Sequence, residues 1–209
     1  MITAWCDGSG THDAPTGAGV VLVEDGEVIA MAAVPGPIGT NNTAELGALR
    51  VALAIVPPDT ELEIVSDSEY AIGVVTHPDW TLRANERLIR ALQRQLAERP
   101  ALVTFRHVGG HQGHALPLNE LADWLARLGR WRALTPDVRA ATPRPKPHAA
   151  ARPWVADLEA SPRKSSRKPP HPPAPPSATQ SEPVEPFEGY VPALRAPEQL
   201  GLLAGATRP

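Results

Sequence analysis

Residues Ile2–Gly10 read ITAWCDGSG. Apolar and small side chains run from Ile2 to Cys6, the pattern of a buried strand. The run then meets a carboxylate, Asp7, followed by Gly8, Ser9 and Gly10. The end of a central strand is a rigid mount that opens into a crevice, and glycines there let the chain turn or let another backbone come close. Asp-Gly is also an ordinary hairpin turn, so this stretch alone leaves turn and site both open. Working outward, Val20–Val23 and Glu27–Val34 are two apolar runs separated by Glu24-Asp25-Gly26, a strong hairpin signal. With Ile2–Cys6 they make a three-stranded antiparallel meander, which Gly36, Pro37 and Gly39 interrupt.

Beyond the meander, Thr40–Val56 (TNNTAELGALRVALAIV) reads as a helix capped by Asn42 or Thr43, with Glu45 in its first turn, and Pro57 and Pro58 stop it. Glu61–Ser66 alternates as a strand, Asp67 stands at its end, and a helix starts at Ser68. Glu86–Glu98 carries Leu88, Ile89, Leu92 and Leu96 on one side and Arg87, Arg90 and Arg94 on the other, an amphipathic helix. Leu102–Val108 is a strand, GGHQGH (109–114) a loop, and Leu118–Leu128 a last amphipathic helix containing Asp123. The order β-β-β-α-β-α-α-β-α predicts an α/β domain, a mixed sheet with helices packed on it.

Composition splits the chain at Trp131. Residues 1–131 hold 9 Lys+Arg against 16 Asp+Glu, and residues 132–209 hold 11 against 7. Of the 25 prolines, 17 lie in the second part. An acidic domain over 1–131 is thus followed by a basic, Pro-rich tail over 132–209. Cys6 is the single cysteine, which excludes an intrachain disulfide and a cysteine-based zinc site. No apolar run approaches the roughly 20 residues of a membrane span, and MITAWCDGSG lacks the features of a signal peptide. A cytoplasmic monomer without membrane attachment is expected.

Four carboxylates recur in similar settings: Asp7 and Asp67 at strand ends, Glu45 and Asp123 on helices. Each has a plainer reading. Glu45 would favour the helix dipole, Asp67 would cap a helix, and Asp123 would border an apolar face. Together they can hold hard divalent cations. Clustered carboxylates repel one another, and oxygen ligands without thiolates suit Mg²⁺, with Mn²⁺ as the alternative. Two such ions about 4 Å apart can activate water and stabilise a leaving oxygen in phosphodiester hydrolysis.

The motifs DGSG, TNNTAEL, SDSEY, GGHQGH and NELAD, in this order over roughly residues 1–130, resemble those of type 1 ribonuclease H. The resemblance implies a five-stranded mixed sheet with helices on both faces. It also implies an endonuclease that hydrolyses the RNA strand of RNA–DNA hybrids with two metal ions, leaving 5′-phosphate and 3′-hydroxyl ends. Its catalytic, metal-ligating carboxylates map onto Asp7, Glu45, Asp67 and Asp123. His111 matches a loop histidine that acts on water or aids product release, and His114 a second, less critical one. Asn41 and Asn42 resemble the asparagine pair that reads the hybrid's minor groove. Gly8, Ser9 and Gly10 would lie close to the RNA strand and its 2′-OH. Thr40, Ser68 and Asn85 resemble the pocket for a phosphate of the DNA strand. Glu69 departs from the family, which often has Gln there. A second departure is the span between Ile72 and Leu88, too short for the lysine-rich helix many members carry. Rival readings are a hybrid- or RNA-binding module that has lost catalysis, and another nuclease of the same fold acting on DNA.

The tail offers a substitute for the missing basic helix. Pro143–Pro147 and PPHPPAPP (169–176) predict extended, solvated, disordered chain. Between Arg139 and Lys168 there are eight Lys/Arg against Asp157 and Glu159. That stretch is read either as a solubilising tail or as a tether to nucleic acid. Residues 182–203 intersperse apolar and acidic side chains and read as a docking segment for a protein partner, or one that folds back on the domain.

Overall fold

A computed structural model of the chain describes residues 1–77, 84–110, 116–147, 149–152 and 203–204. The elements are β1 (Ile2–Ser9), β2 (Ala14–Glu24), β3 (Glu27–Gly39), α1 (Asn41–Ile55), β4 (Leu62–Ser66), α2 (Glu69–Thr76), α3 (Glu86–Ala97), β5 (Val103–His107), α4 (Pro117–Ala133) and α5 (Pro136–Ala141). They form the expected five-stranded mixed sheet, and a two-residue strand, β6 (Leu203–Ala204), extends it. The order is β5-β4-β1-β2-β3-β6. Strands β1, β2 and β3 are antiparallel neighbours, whereas β4 lies parallel to β1 and β5 parallel to β4. The β2–β3 hairpin turns at Asp25-Gly26, where φ is 51° and 84°, the two positive values a type I′ turn requires.

Alternation along the strands divides the core into two layers. Ile2, Ala4 and Cys6 of β1, with Val20, Leu22 and Ile64, face α1, α2 and α3. Trp5, Val21, Val23, Met31 and Val65 face the other way, against Leu121, Trp124, Leu125 and Leu128 of α4. Helices therefore cover both faces. On the second face the approach is unusually close. A Cβ on Gly19 would collide with the Ala122 carbonyl oxygen, and one on Gly17 with the Ala126 carbonyl oxygen. The small-residue stretch of β2 thus lets the backbone of α4 settle onto the sheet. Because Gly19 is the cross-strand partner of Asp7, this seam brings the α4 segment that holds Asp123 alongside the tip of β1.

Several local expectations are corrected. β3 does not stop at Val34 but continues to Gly39. Its prolines, Pro35 and Pro37, are tolerated because this end of β3 is an edge, where a missing N–H costs no ladder bond. The cap of α1 is Thr40, not Asn42 or Thr43: its side chain accepts from the Thr43 N–H, and the Thr43 hydroxyl accepts from the Thr40 N–H. Glu45 therefore falls in the second turn, too far in for the dipole reading. α2 is capped by Ser68, whose hydroxyl accepts from the Ala71 N–H, so Asp67 is released from that role.

The boundary expected at Trp131 falls inside α4, which runs to Ala133. The chain then returns along α4. Trp131 Nε1 donates to the Thr142 carbonyl at 2.9 Å, Trp124 Nε1 donates to the Pro145 carbonyl at 3.2 Å, and Ala151 is fully buried against the α4 layer. The buried Trp124 indole N–H needs an acceptor, which the Pro145 carbonyl supplies, and the half-buried Trp131 finds one in Thr142. The Pro143–Pro147 stretch carries neither helix nor strand, and it is laid on the domain. His111, His114, PPHPPAPP and the 182–203 segment except Leu203 lie outside the described residues. Among the described residues no helix is long and apolar enough to cross a membrane.

Candidate active site

Three of the four carboxylates meet where β1 and β4 end side by side. The parallel register places Cys6 opposite Ser66, so Asp7 and Asp67, the next residue on each strand, become neighbours. Asp7 lies within β1, two residues before its end. Glu45 reaches them from α1, which rests directly on Gly8: a Cβ on Gly8 would overlap the Glu45 backbone. That contact is closed by a hydrogen bond from the Gly8 N–H to Glu45 Oε2 at 3.0 Å. Asn41 Nδ2 donates to Glu45 Oε1 at 3.2 Å, and Asn41 Oδ1 accepts from the Gly10 N–H at 3.2 Å. One carboxylate oxygen from each of Asp7, Glu45 and Asp67 lies within 4.8 Å of the others.

Asp123 lines the same cleft, about 470 Å³ in volume, together with Gly8, Ser9, Gly10, Asn41 and Ser68. Its Oδ2 lies 2.8 Å from Arg127 Nη2. Thr40 and Asn85 stand apart from the cleft lining. The Thr43 hydroxyl donates to Asn85 Oδ1 at 3.1 Å and lies 3.1 Å from the Thr40 hydroxyl, a polar link between the starts of α1 and α3. Ser68 lines the cleft and caps α2. Asn42 is exposed beside Asn41. Glu69 lines the cleft, so its charge faces whatever enters.

The electrostatics are those of a cation site. Burial, then repulsion from Glu45, Asp67 and Asp123, pushes the Asp7 carboxyl well above its ordinary range, and the Gly8 N–H opposes this only in part. Burial, then repulsion from Asp67, pushes Glu45 up to about 8 against hydrogen bonds from Gly8, Asn41 and Asp7. Nearly buried carboxyls whose charged forms are disfavoured by burial and mutual repulsion gain from a divalent ion that neutralises them. The all-oxygen donor set suits a hard cation such as Mg²⁺. The residues present therefore fit the metal that the motifs imply.

Two participants escaped the sequence reading. Asn119, 3% exposed, donates from Nδ2 to Asp67 Oδ2 at 3.2 Å, while its Oδ1 is buried without a partner. Arg127 pairs with Asp123. A signal was present: Asn119, Asp123 and Arg127 are spaced i, i+4, i+8, one stripe of α4 facing the carboxylates.

Residues 1–130 match the family profile described as RNase H. Ribonuclease HI of Streptomyces coelicolor is 34% identical over 134 residues, covering 57% of this chain and 57% of the relative. Ribonuclease H of Anaeromyxobacter dehalogenans is 34% identical over 98 residues, covering 42% and 52%. The chain thus spans little more than half the length of these two relatives. Among solved structures, LC11-RNase H1 isolated from compost superimposes with a TM-score of 0.54 at 24% identity, over 64% of this chain and 98% of that one. The same protein in complex with an RNA/DNA hybrid gives 0.54 at 23% identity, over 65% and 100%. These structures speak for the fold, and the profile match for the lineage. With the motifs DGSG, TNNTAEL, SDSEY and NELAD seated on that fold and three of their carboxylates converging in one cleft, the chain belongs to the type 1 RNase H family.

Proposed function

We propose that this protein is an endonuclease that hydrolyses the RNA strand of RNA–DNA hybrids. The observation that carries the reading is the convergence of Asp7, Glu45 and Asp67 in one cleft that Asp123 also lines. Asp7, Glu45 and Asp67 would hold one divalent ion, and Asp123 with Asp7 a second. Bound there, two ions would activate water and stabilise the leaving oxygen, giving 5′-phosphate and 3′-hydroxyl ends. Asn119 keeps Asp67 turned toward the cluster. The Gly8–Gly10 backbone and Asn41 line the cleft where a 2′-OH would be read, with Asn42 beside them. Discrimination of RNA from DNA then comes from this wall and not from the metals. His111 would carry the proton, an assignment that rests on the GGHQGH motif. A solved relative's complex with an RNA/DNA hybrid supports the substrate class. We further propose a cytoplasmic monomer whose basic tail tethers the acidic domain to the hybrid.

The test is cleavage of end-labelled RNA–DNA, RNA–RNA and DNA–DNA duplexes with Mg²⁺, Mn²⁺ or chelator. Cutting of the RNA strand of the hybrid alone, abolished by chelator, is the expected result. Binding without cutting in either metal would leave a non-catalytic module, and cleavage of DNA–DNA would point to another nuclease of this fold.

A further inference from the structure

Arg127 stands one turn after Asp123 on α4 and lines the same cleft. Its Nη2 is 2.8 Å from Asp123 Oδ2, yet the contact is a charge pair and not an aligned hydrogen bond. Both Nη2 and Nε are shut off from water, and neither donates in hydrogen-bond geometry. A guanidinium carries five donors, and shielding two of them without acceptors is unfavourable. Arg127 is therefore held at this place by the charge of Asp123 more than by a network of its own. The next basic residue along the helix, Arg130, is engaged elsewhere, donating to the Thr11 hydroxyl at 2.7 Å.

Asp123 is also the carboxylate left out of the three-residue cluster. Its partner is already a cation. A divalent ion that uses Asp123 must take the carboxylate from a guanidinium that holds it at contact distance. The reverse also holds: while Arg127 is there, Asp123 adds less repulsion to a crowded acidic site. The remaining ion position, served by Asp7, Glu45 and Asp67, involves no such exchange.

We propose that Arg127 competes with the second divalent cation for Asp123, and so sets the cation concentration at which the site becomes doubly loaded. This rests on the two-ion reading above. Arg127 is then a positioning residue, acting through Asp123.

The experiment is calorimetric titration of Mn²⁺ into the full chain, with wild type, Arg127→Gln, Arg127→Lys, Asp123→Asn and the Arg127→Gln/Asp123→Asn double variant, each first shown to be folded by thermal melting. The wild type should show a stronger and a weaker event. Arg127→Gln should tighten the weaker event about three- to fivefold, the upper part of the scale of a partly exposed ion pair, and leave the stronger one unchanged. Arg127→Lys, which keeps the charge, should stay within about twofold of wild type. In the Asp123→Asn background Arg127→Gln should change nothing. Two ions bound with the weaker one unchanged or weakened by Arg127→Gln would overturn the proposal and leave the two-ion reading standing. A single ion in every variant, up to tens of millimolar Mn²⁺, would overturn that reading and the proposal with it.

Discussion

Glu45→Gln in chelator should turn the cation-free protein's dependence on pH into a measurable difference. Glu45 titrates at about 8 in the folded chain, against an ordinary 4.5. A carboxyl whose folded pKa is raised binds its proton more tightly when folded. Its stabilising contribution is fully present below the unfolded value and is lost as pH rises through the folded one. Across that window each pH unit removes about 1.4 kcal/mol. Going from about pH 6 to about pH 8 should therefore cost the wild type about 2 kcal/mol through this group, roughly 8 °C of Tm for a domain of this size. Gln is close in shape and neutral throughout. The variant should melt higher than wild type at about pH 8, and its advantage should shrink as pH falls toward about 5. Its own curve should still slope downward, because Asp7 is raised in the same direction. Adding Mg²⁺ should raise the wild-type Tm at high pH more than that of the variant, since the ion replaces the proton. Thermal melts by circular dichroism across pH, with and without Mg²⁺, provide the check. Parallel curves for wild type and Glu45→Gln, or a wild type that gains stability on the variant with rising pH, would refute this electrostatic account.

Asp67→Asn should lower turnover by orders of magnitude while hybrid binding survives, because an amide is a poor ligand for a hard cation; a near-wild-type rate in Mg²⁺ would sink the two-metal reading. Gly19→Ala should cost about 3 kcal/mol or more, since the added methyl collides with the Ala122 carbonyl and α4 must lift off β2; a melt within a degree or two of wild type would show that the seam yields. Truncation after Arg132 should lower Tm by several degrees, whereas truncation after Arg152 should not, because only the first removes the acceptors of the Trp124 and Trp131 indoles. If the tether proposal is right, truncation after Arg152, which removes Arg163, Lys164, Arg167 and Lys168, should also raise KM and flatten the salt dependence of the rate without changing kcat; unchanged kinetics across a salt series would reject a tether beyond Arg152.

Much of this molecule was legible in the chain, and the reasons are local. Period-two alternation marks β1 and β4, Asp25-Gly26 marks the hairpin, and the Leu121–Leu128 stripe marks the buried face of α4. Each reports a preference that neighbours in sequence suffice to express. The four carboxylates could be picked out for the same reason, as polar residues at the ends and borders of apolar elements. What escaped was in part the choice among neighbouring cap residues and in part contacts between distant segments. Thr40 caps α1 by pairing with Thr43, which moves Glu45 into the second turn, and Gly8 then sets how close Glu45 comes. Prolines that look like a strand's end are accommodated because, among the described residues, that end of β3 has no strand on its outer side. The two tryptophans of α4 hold a stretch of chain that composition assigned to a free tail.

The sequence by itself determined which elements form and which residues carry charge at their ends, because propensity, periodicity and turn chemistry act over a few residues. The tertiary structure decided that Asp7, Glu45 and Asp67 share one buried space, that Asp123 is paired with Arg127, and that Asn119 steadies Asp67. Those outcomes follow from strand register and from how closely α1 and α4 can approach the sheet. They are set by backbone contacts across roughly 40 to 120 residues of chain, where no local pattern reaches.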